Sequence, residues 1–456
     1  KTIMKDEIEK RRDFRNILTF TIDPLEAKDF DDALSFQELP DGTYEVGIHI
    51  ADVSHYVIED SALDKEALKR ATSIYLVDRT IPMLPEVLSN GLCSLNPKED
   101  KLTFSAVFTL DKNAEILDAW FGKTIIHSAY RFTYESAQES LDNPDGPYHK
   151  ELDTLNKLAY KLRDKKFKAG AISFETEEVR FHLDEEGVPI SVYKKVRGDT
   201  HKLIEDFMLL ANREVAGFIA NQDIEQTFVY RNHDLPDIDR IANLSSFVQN
   251  FGYSIKFQDN VIPSRELNDL IKRVEDTPEK NVIQTSILRS MAKALYSTEN
   301  IGHYSLAFEH YTHFTSPIRR YPDVMVHRLL QAYLEGKPPA DRAKYQKMCI
   351  HSSQREVEAS DAERASIRYK QVEYMKTRVG KEYDGIITGV TKWGVYVETV
   401  EEKCEGMIRL GDIDGDYYSL DEGTYSIVGE RTKRRIRLGD EVRVKVLRAD
   451  LEKSTL

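Results

Sequence analysis

The stretch TFTIDPLEAKDFDDALSF, residues 19–36, decides how the rest of the chain is read. It places Asp23, Asp29, Asp31 and Asp32 close together, bracketed by apolar residues patterned as buried strand. Crowded carboxylates repel one another, and burying them beside a core is costly unless something positive neutralises them. A hard divalent cation such as Mg²⁺ takes oxygen ligands and meets that demand. In one regular strand Asp29 and Asp31 share a face while Asp32 points away. Convergence of all four therefore needs a bend, and Asp23-Pro24 supplies a turn. Two other readings compete. A helix-loop-helix calcium loop wants Gly at its sixth position and an acid at its twelfth; counting from Asp29 gives Leu34 and Pro40, so it fails. A solvated acidic turn is the plainer alternative, and the brackets Phe20, Ile22, Ala33, Leu34 and Phe36 weigh against it.

The 456 residues suffice for a large core and more than one domain. A hydrophobic content of 41% and a charged content of 31% describe an ordinary globular protein. No apolar run approaches a membrane span and no signal peptide opens the chain. Cys93, Cys349 and Cys404 are odd in number and far apart, which argues against a disulfide framework or a zinc site and fits a reducing cytoplasm. The net charge of −14 argues against indiscriminate nucleic-acid binding, though not against a local basic channel. The chain opens on Lys1 instead of Met, as expected of a processed product or a chain lacking an N-terminal portion.

Residues 1–15 read as a charged lead-in without chemistry. From Asn16 to Val57 the pattern is strand-like, with a hairpin at Asp41-Gly42. His49 in that run is more often a satisfied core group than a ligand. A helix over 61–70 precedes a long irregular segment, 71–97, punctuated by Pro82, Pro85 and Pro97. Long ordered loops of this kind are often functional; Tyr75 within it is either a stacking platform for a base or a core aromatic. Strands return over 101–135, ending at Tyr134, and a further hairpin turns about Glu185-Glu186-Gly187. THKLIEDFMLLANREVAGFIA, residues 200–220, aligns Leu203, Phe207, Leu210 and Ile219 on one helical face, with Asp199 or Thr200 as N-cap and Glu205 near the edge. Further helices are expected at 264–276, 283–297, 323–335 and about 340–378, the last stopped by Gly380. HFTSPIRRYPDVMVHR, residues 313–328, sets Arg319 and Arg320 beside an N-cap or turn at Thr315-Ser316-Pro317; such a pair is usually solvated charge on a surface helix, but beside a turn it is also suited to holding phosphate. Glycine-punctuated strands after 380 suggest a five-stranded OB barrel, with Trp393 and Tyr396 on strands as stacking aromatics or core and Lys433, Arg434, Arg435 and Arg437 as local positive charge.

DPLEAKDFDDAL, GIHIADVSHYV, IPMLPEVLSNGLCSLNP, HKLIEDFMLLAN and HFTSPIRRYPDVMVHR, in that order, closely resemble the catalytic domain of the ribonuclease II / ribonuclease R family. The tail resembles the OB module named after the largest small-subunit ribosomal protein, and HFTSPIRRYPD and ERTKRRIRLGDEV look more like the ribonuclease R branch. The resemblance implies an α+β chain: a mixed α/β RNB-type catalytic domain over 16–379, then a small all-β OB barrel over 380–456. It implies processive 3′-to-5′ hydrolysis of single-stranded RNA with a free 3′ end to nucleoside 5′-monophosphates. Two Mg²⁺ ions, or Mn²⁺ in their place, would be held by Asp23, Asp29 and Asp32. Asp31 would hold the attacking water and Arg319, with Arg320 beside it, would support the scissile phosphate. Tyr75 and Phe174 would sandwich the terminal base, Tyr134 would form a second wall, and Glu205 would lie near the 3′ end, with Asp206 beside it as the competing register. A monomer is expected. Two departures stand out: no cold-shock OB domains precede Lys1, and Arg409 stands where a histidine is common. A non-catalytic RNA-binding scaffold and a metal-dependent endonuclease are the competing functions.

Overall fold

The computed structural model describes residues 3–173, 178–258, 261–277, 279–421 and 426–456. A short helix α1 (Lys5–Ile8) leads into β1 (Arg12–Asp13). Strands β2 (Thr19–Asp23), β3 (Asp32–Glu38) and β4 (Tyr44–Ala51) follow, the last two joined by the expected hairpin with Gly42 at φ +80°. After α2 (Val53–Tyr56) and α3 (Ala62–Arg70), the irregular segment contains only the small ribbon β5 (Ile74–Tyr75) and β6 (Thr80–Ile81) as strand. The long strands β7 (Asp100–Leu110) and β8 (Ile116–His127) and the short β9 (Tyr130–Thr133) complete a seven-stranded sheet ordered β1-β8-β7-β4-β3-β2-β9. β1 and β9 pair parallel to their neighbours; the other pairings are antiparallel.

The lead-in is therefore part of this sheet. Phe14 lies in the main core, and the buried Arg11 guanidinium donates to Asp52 Oδ2 at 2.7 Å. Lys123 Nζ reaches the other oxygen of Asp52 at 2.5 Å, and together the two cations hold that buried carboxyl below the ordinary carboxylate range despite its desolvation. His49 is a satisfied core group, bonded to Ser35 and Ser105.

Helices cover the sheet: α4 (Tyr134–Asp142), α5 (His149–Ala169) and, after the hairpin β10 (Glu178–Leu183) and β11 (Pro189–Lys195), α6 (Asp199–Ala220). α6 buries Leu203, Phe207, Leu210 and Ile219 on one face as its periodicity requires. Its N-cap is Gly198, not Asp199 or Thr200, because the Thr200 hydroxyl is engaged by the Tyr134 carbonyl at 3.0 Å. Beyond β12 (Tyr230–Asn232) come α7 (Ile238–Gln249), α8 (Ser264–Arg273) and α9 (Lys280–Ser290), with their own apolar cluster. The helix expected over 283–297 stops at Ser290; Leu295–Ser297 forms β13, paired with β12. That pairing buries Tyr296 under Arg231, whose guanidinium sits 4.6 Å from the ring. α10 (Tyr321–Leu334) and α11 (Arg342–Lys376) complete this part.

α11 is capped by the Asp341 carboxylate and followed by Gly380 at φ +91°. Along one stretch it accepts the Tyr75 N–H on Glu363 (3.0 Å) and the Val77 N–H on Ser366 (3.1 Å). One turn on, Arg368 and Gln371 bond to Glu405 and the Lys403 carbonyl. Those acceptors belong to the C-terminal domain: β14 (Glu382–Val390), β15 (Gly394–Thr399), β16 (Glu405–Arg409), β17 (Tyr418–Asp421), β18 (Ser426–Gly429), β19 (Arg435–Arg437) and β20 (Glu441–Lys445). Among the described residues the five-stranded expectation becomes seven short strands in two sheets, β16-β15-β14-β20 and β17-β18-β19, packed through Ile387, Val395, Val397, Tyr418, Ile427 and Ile436. The segment between β16 and β20 makes its own meander, which adds the extra strands. Among the described residues no helix is long and apolar enough to cross a membrane, and the three cysteines are free and buried.

Replacing Asp52 with Ala leaves Lys123 buried without its ion-pair partner and Arg11 with Glu7 alone. The expected loss is roughly 3–5 kcal/mol, to be read as a lowered urea midpoint; an unchanged midpoint would show that these charges are solvated in the folded chain.

Candidate active site

Pro24 and the residues after it do not continue β2. Strand pairing of β2 with β3 ends at Phe20 and Leu34, and residues 24–31 form an irregular loop between the two. This is the bend that convergence requires. Asp23 closes β2, Asp32 opens β3, and Asp29 and Asp31 stand on the loop.

Contacts from several distant segments hold the loop, among them the Ala51 N–H, which donates to the Asp31 carbonyl at 2.8 Å. Ser94 Oγ receives the Phe30 N–H at 2.9 Å and donates to the Lys28 carbonyl, while the Leu95 N–H bonds the Phe30 carbonyl at 3.0 Å. Arg131 on β9 donates to the carbonyls of Pro24 and Leu25, at 2.7 and 2.9 Å. Asp31 Oδ1 accepts the Ile318 N–H at 2.9 Å, which fastens the loop to the 313–320 turn.

Burial moves all four carboxyls in the same direction. Desolvation, and then the charge of Asp32, push Asp23 well up. Asp29 and Asp31 are raised by burial against the opposing charge of Arg319, Asp31 far up. Asp32 is pushed up to about 6, again by burial with Arg319 opposing. Asp23 Oδ2 is buried without a hydrogen-bond partner. Arg319 is thus the counter-charge shared by Asp29, Asp31 and Asp32, its Nε 3.8 Å from Asp31 Oδ2 and its Nη2 donating to Ser316 Oγ at 3.0 Å, while Arg131 opposes the burial of Asp23. Among the described residues no group of three or more His, Cys, Asp or Glu side chains is arranged to hold a metal ion.

The two tyrosines sense different members of the cluster. Tyr75, 41% exposed, feels the charges of Asp29 and Asp31; Tyr134 feels those of Asp32 and Asp23; both feel Arg319. Tyr134 stacks flat on His201, with centroids 3.8 Å apart at 11°. Glu205 is paired with Arg197, which also reaches the field of Tyr134. Asp206 is buried against Arg163 and Lys166 on α5, at 2.8 and 3.5 Å, and Lys166 also reaches the partly exposed Glu205 at 4.0 Å.

Other expected residues lie elsewhere. Arg320 is partly buried and paired with Asp323 at 2.8 Å, and does not join Arg319 at the acids. Trp393 sits in the β14–β15 turn and not on a strand, 70% exposed with Lys392 beside its ring. Tyr396, on β15, lines a groove of about 640 Å³ between the C-terminal domain and α7 and α9, together with Arg240, Arg289 and Arg368. Both aromatics belong to the C-terminal domain, outside the acidic pocket. Phe174 lies outside the described residues. Ser94 and Arg131, which hold the site together, escaped sequence reasoning, because they act on backbone carbonyls far along the chain and leave no local pattern; Ser316 is legible in sequence only as part of an N-cap or turn.

Residues 11–336 match the RNB domain family and residues 376–456 the S1 RNA binding domain family. The chain is 41% identical to ribonuclease R 1 of Lactococcus lactis, over 98% of this chain and 56% of that relative. It is similar to the structure of Mycoplasma genitalium RNase R in complex with ribose methylated single-stranded RNA, with TM-score 0.93 and 27% identity over 100% of this chain and 73% of that one. It shares a fold with the yeast pseudonuclease Ssd1, with TM-score 0.75 and 21% identity over 93% of this chain and 53% of that one. The chain belongs to the ribonuclease R family. It spans little more than half the length of the Lactococcus relative.

Raised carboxyls keep protons in the folded chain where the unfolded chain has released them, so their contribution to stability falls as pH rises from about 4 through about 6. In metal-free buffer Asp32→Asn should therefore raise the unfolding midpoint at about pH 7.5 by about 2–4 °C. The gain should vanish near pH 4, which thermal denaturation followed by circular dichroism measures directly.

Proposed function

We propose that the chain hydrolyses single-stranded RNA processively from a free 3′ end, releasing nucleoside 5′-monophosphates. The observation that carries this reading is the set of four buried or half-buried carboxyls, three of them sharing Arg319 and Asp23 facing Arg131, whose charges reach Tyr75 and Tyr134. In the reaction a water oxygen bonds to phosphorus, the P–O3′ bond breaks, and the shortened RNA keeps a 3′-hydroxyl.

The donor set suits Mg²⁺: hard carboxylate oxygens in mutual repulsion, one of them orphaned on Asp23. Mg²⁺ commonly binds through one or two carboxylates, with waters and substrate phosphates completing its shell, so a ready-made protein cage is not required. Asp23, Asp29 and Asp32 are the residues that would hold a pair of such ions, with Mn²⁺ as substitute. When bound, they supply Lewis-acid polarisation of the phosphoryl group and a more acidic water.

The chain's own residues do the rest. Asp31 is anchored through Oδ1 by Ile318, which leaves Oδ2 to orient the water and take its proton. Arg319 donates to the phosphoryl oxygens as charge builds on them. Tyr75 offers a face to the last base, worth about 1–3 kcal/mol without reading its identity. Work as a monomer in the cytoplasm belongs to the same reading, supported by three buried free thiols.

The test is a 5′-labelled, unpaired oligoribonucleotide incubated with Mg²⁺ and, in parallel, with EDTA. Mononucleotides released from the 3′ end with Mg²⁺ alone are expected. Internal fragments would point to an endonuclease, and intact RNA to a scaffold. Asp31→Asn should cut kcat by about 100-fold or more while RNA affinity changes little, and Arg319→Ala should cost about 100- to 1,000-fold.

A further inference from the structure

Resting on the reading of Arg319 as the phosphate-facing group, the 313–328 segment carries a second assignment. The Ser316 carbonyl accepts the N–H groups of both Arg319 and Arg320, at 3.3 and 3.0 Å, so this is a tight turn and not a helix cap. Ser316 is buried, and its hydroxyl accepts from Arg319 Nη2 at 3.0 Å. Its own N–H donates to Asp323 Oδ1 at 2.7 Å. Asp323 is fully buried one turn into α10 and takes a second bond, from Arg320 Nη2 at 2.8 Å, on the same oxygen. The turn is fixed on its other flanks as well: Ile318 N–H to Asp31, and Ser73 N–H to the Arg319 carbonyl at 3.0 Å.

A long, half-exposed arginine side chain has many rotamers, and holding one orientation costs conformational entropy. Of its two polar contacts, the one to Asp31 is a loose 3.8 Å, and the one to Ser316 Oγ is a true hydrogen bond. We infer that Ser316 and Asp323 are positioning residues for the reaction: Asp323 fixes Ser316, and the Ser316 hydroxyl aims the Arg319 guanidinium at the scissile phosphate. Arg320 serves this arrangement from behind, as the partly buried counter-charge of Asp323. The adjacent arginines thus have different tasks, one facing substrate and the other holding the residue that steadies its neighbour.

A double-mutant cycle on the full chain with a single-stranded oligoribonucleotide and Mg²⁺ tests this. Ser316→Ala should lower kcat about tenfold and leave KM within about twofold, because an aim realised at the transition state is lost and ground-state binding is not. In an Arg319→Ala background the same change should cost less than about twofold, since nothing remains to be aimed. Asp323→Asn should lower kcat in the same non-additive way and should also lower the unfolding midpoint; Ser316→Ala should leave that midpoint within about 1 °C and so serves as the folding-neutral variant. Costs of Ser316→Ala and Arg319→Ala that multiply, or a wild-type kcat in Ser316→Ala, overturn the inference. A wild-type chain that spares RNA, or an Arg319→Ala variant as fast as wild type, overturns the parent reading and this one with it. A crippled Arg319→Ala beside an unimpaired Ser316→Ala overturns this inference alone.

Discussion

Like charges forced together set the terms for everything around them. Two unit charges about 5 Å apart repel by about 3 kcal/mol at an effective dielectric of about 20, whereas a single backbone hydrogen bond contributes about 0.5–1.5 kcal/mol net. The bonds from Ser94, Arg131 and Ile318 hold the 24–31 loop in place, but by those magnitudes they do not cancel the repulsion among its acids. The remainder appears as four carboxyls all reluctant to ionise, three facing the Arg319 guanidinium and Asp23 facing that of Arg131. A cationic ligand is the kind of partner that relieves it. Burial that is unfavourable for the chain alone thus prepares it to bind.

The same junction unites distant sequence. Asp31 and Ile318 are 287 positions apart, yet one hydrogen bond fastens the acid loop to the arginine turn, and the Arg319 carbonyl is in turn bonded two residues ahead of Tyr75. Acid, cation and aromatic wall are therefore set by mutual contacts between loops. The sheet only brings those loops to one end.

Local patterns were legible from residues alone. The acidic stretch, the hairpins, the α6 face and the long α11 all follow from periodicity and turn chemistry, and the observed elements match them closely. Long-range demands were not. Arg319 and Arg320 are indistinguishable in sequence, and what separates them is that one backbone direction leads to Asp31 and the other to Asp323. The helix expected through Leu295–Ser297 gave way to a strand because pairing with β12 buries Tyr296. The charged lead-in looked idle because its role, Arg11 against Asp52, is to neutralise a buried group elsewhere. For Trp393 the strand reading failed by one residue, at a turn where boundaries are least regular.

α11 has a consequence for how the molecule divides. Its 35 residues make a rod of about 50 Å, and Glu363, Ser366, Arg368 and Gln371 occupy just over two turns of it. Within that short length the helix moors the tyrosine ribbon on one side and the β-domain on the other. The border between the two family segments is thus a seam in ancestry and not in mechanics. A cut at that border would strip the outer moorings from a beam whose inner ones keep the aromatic wall in place.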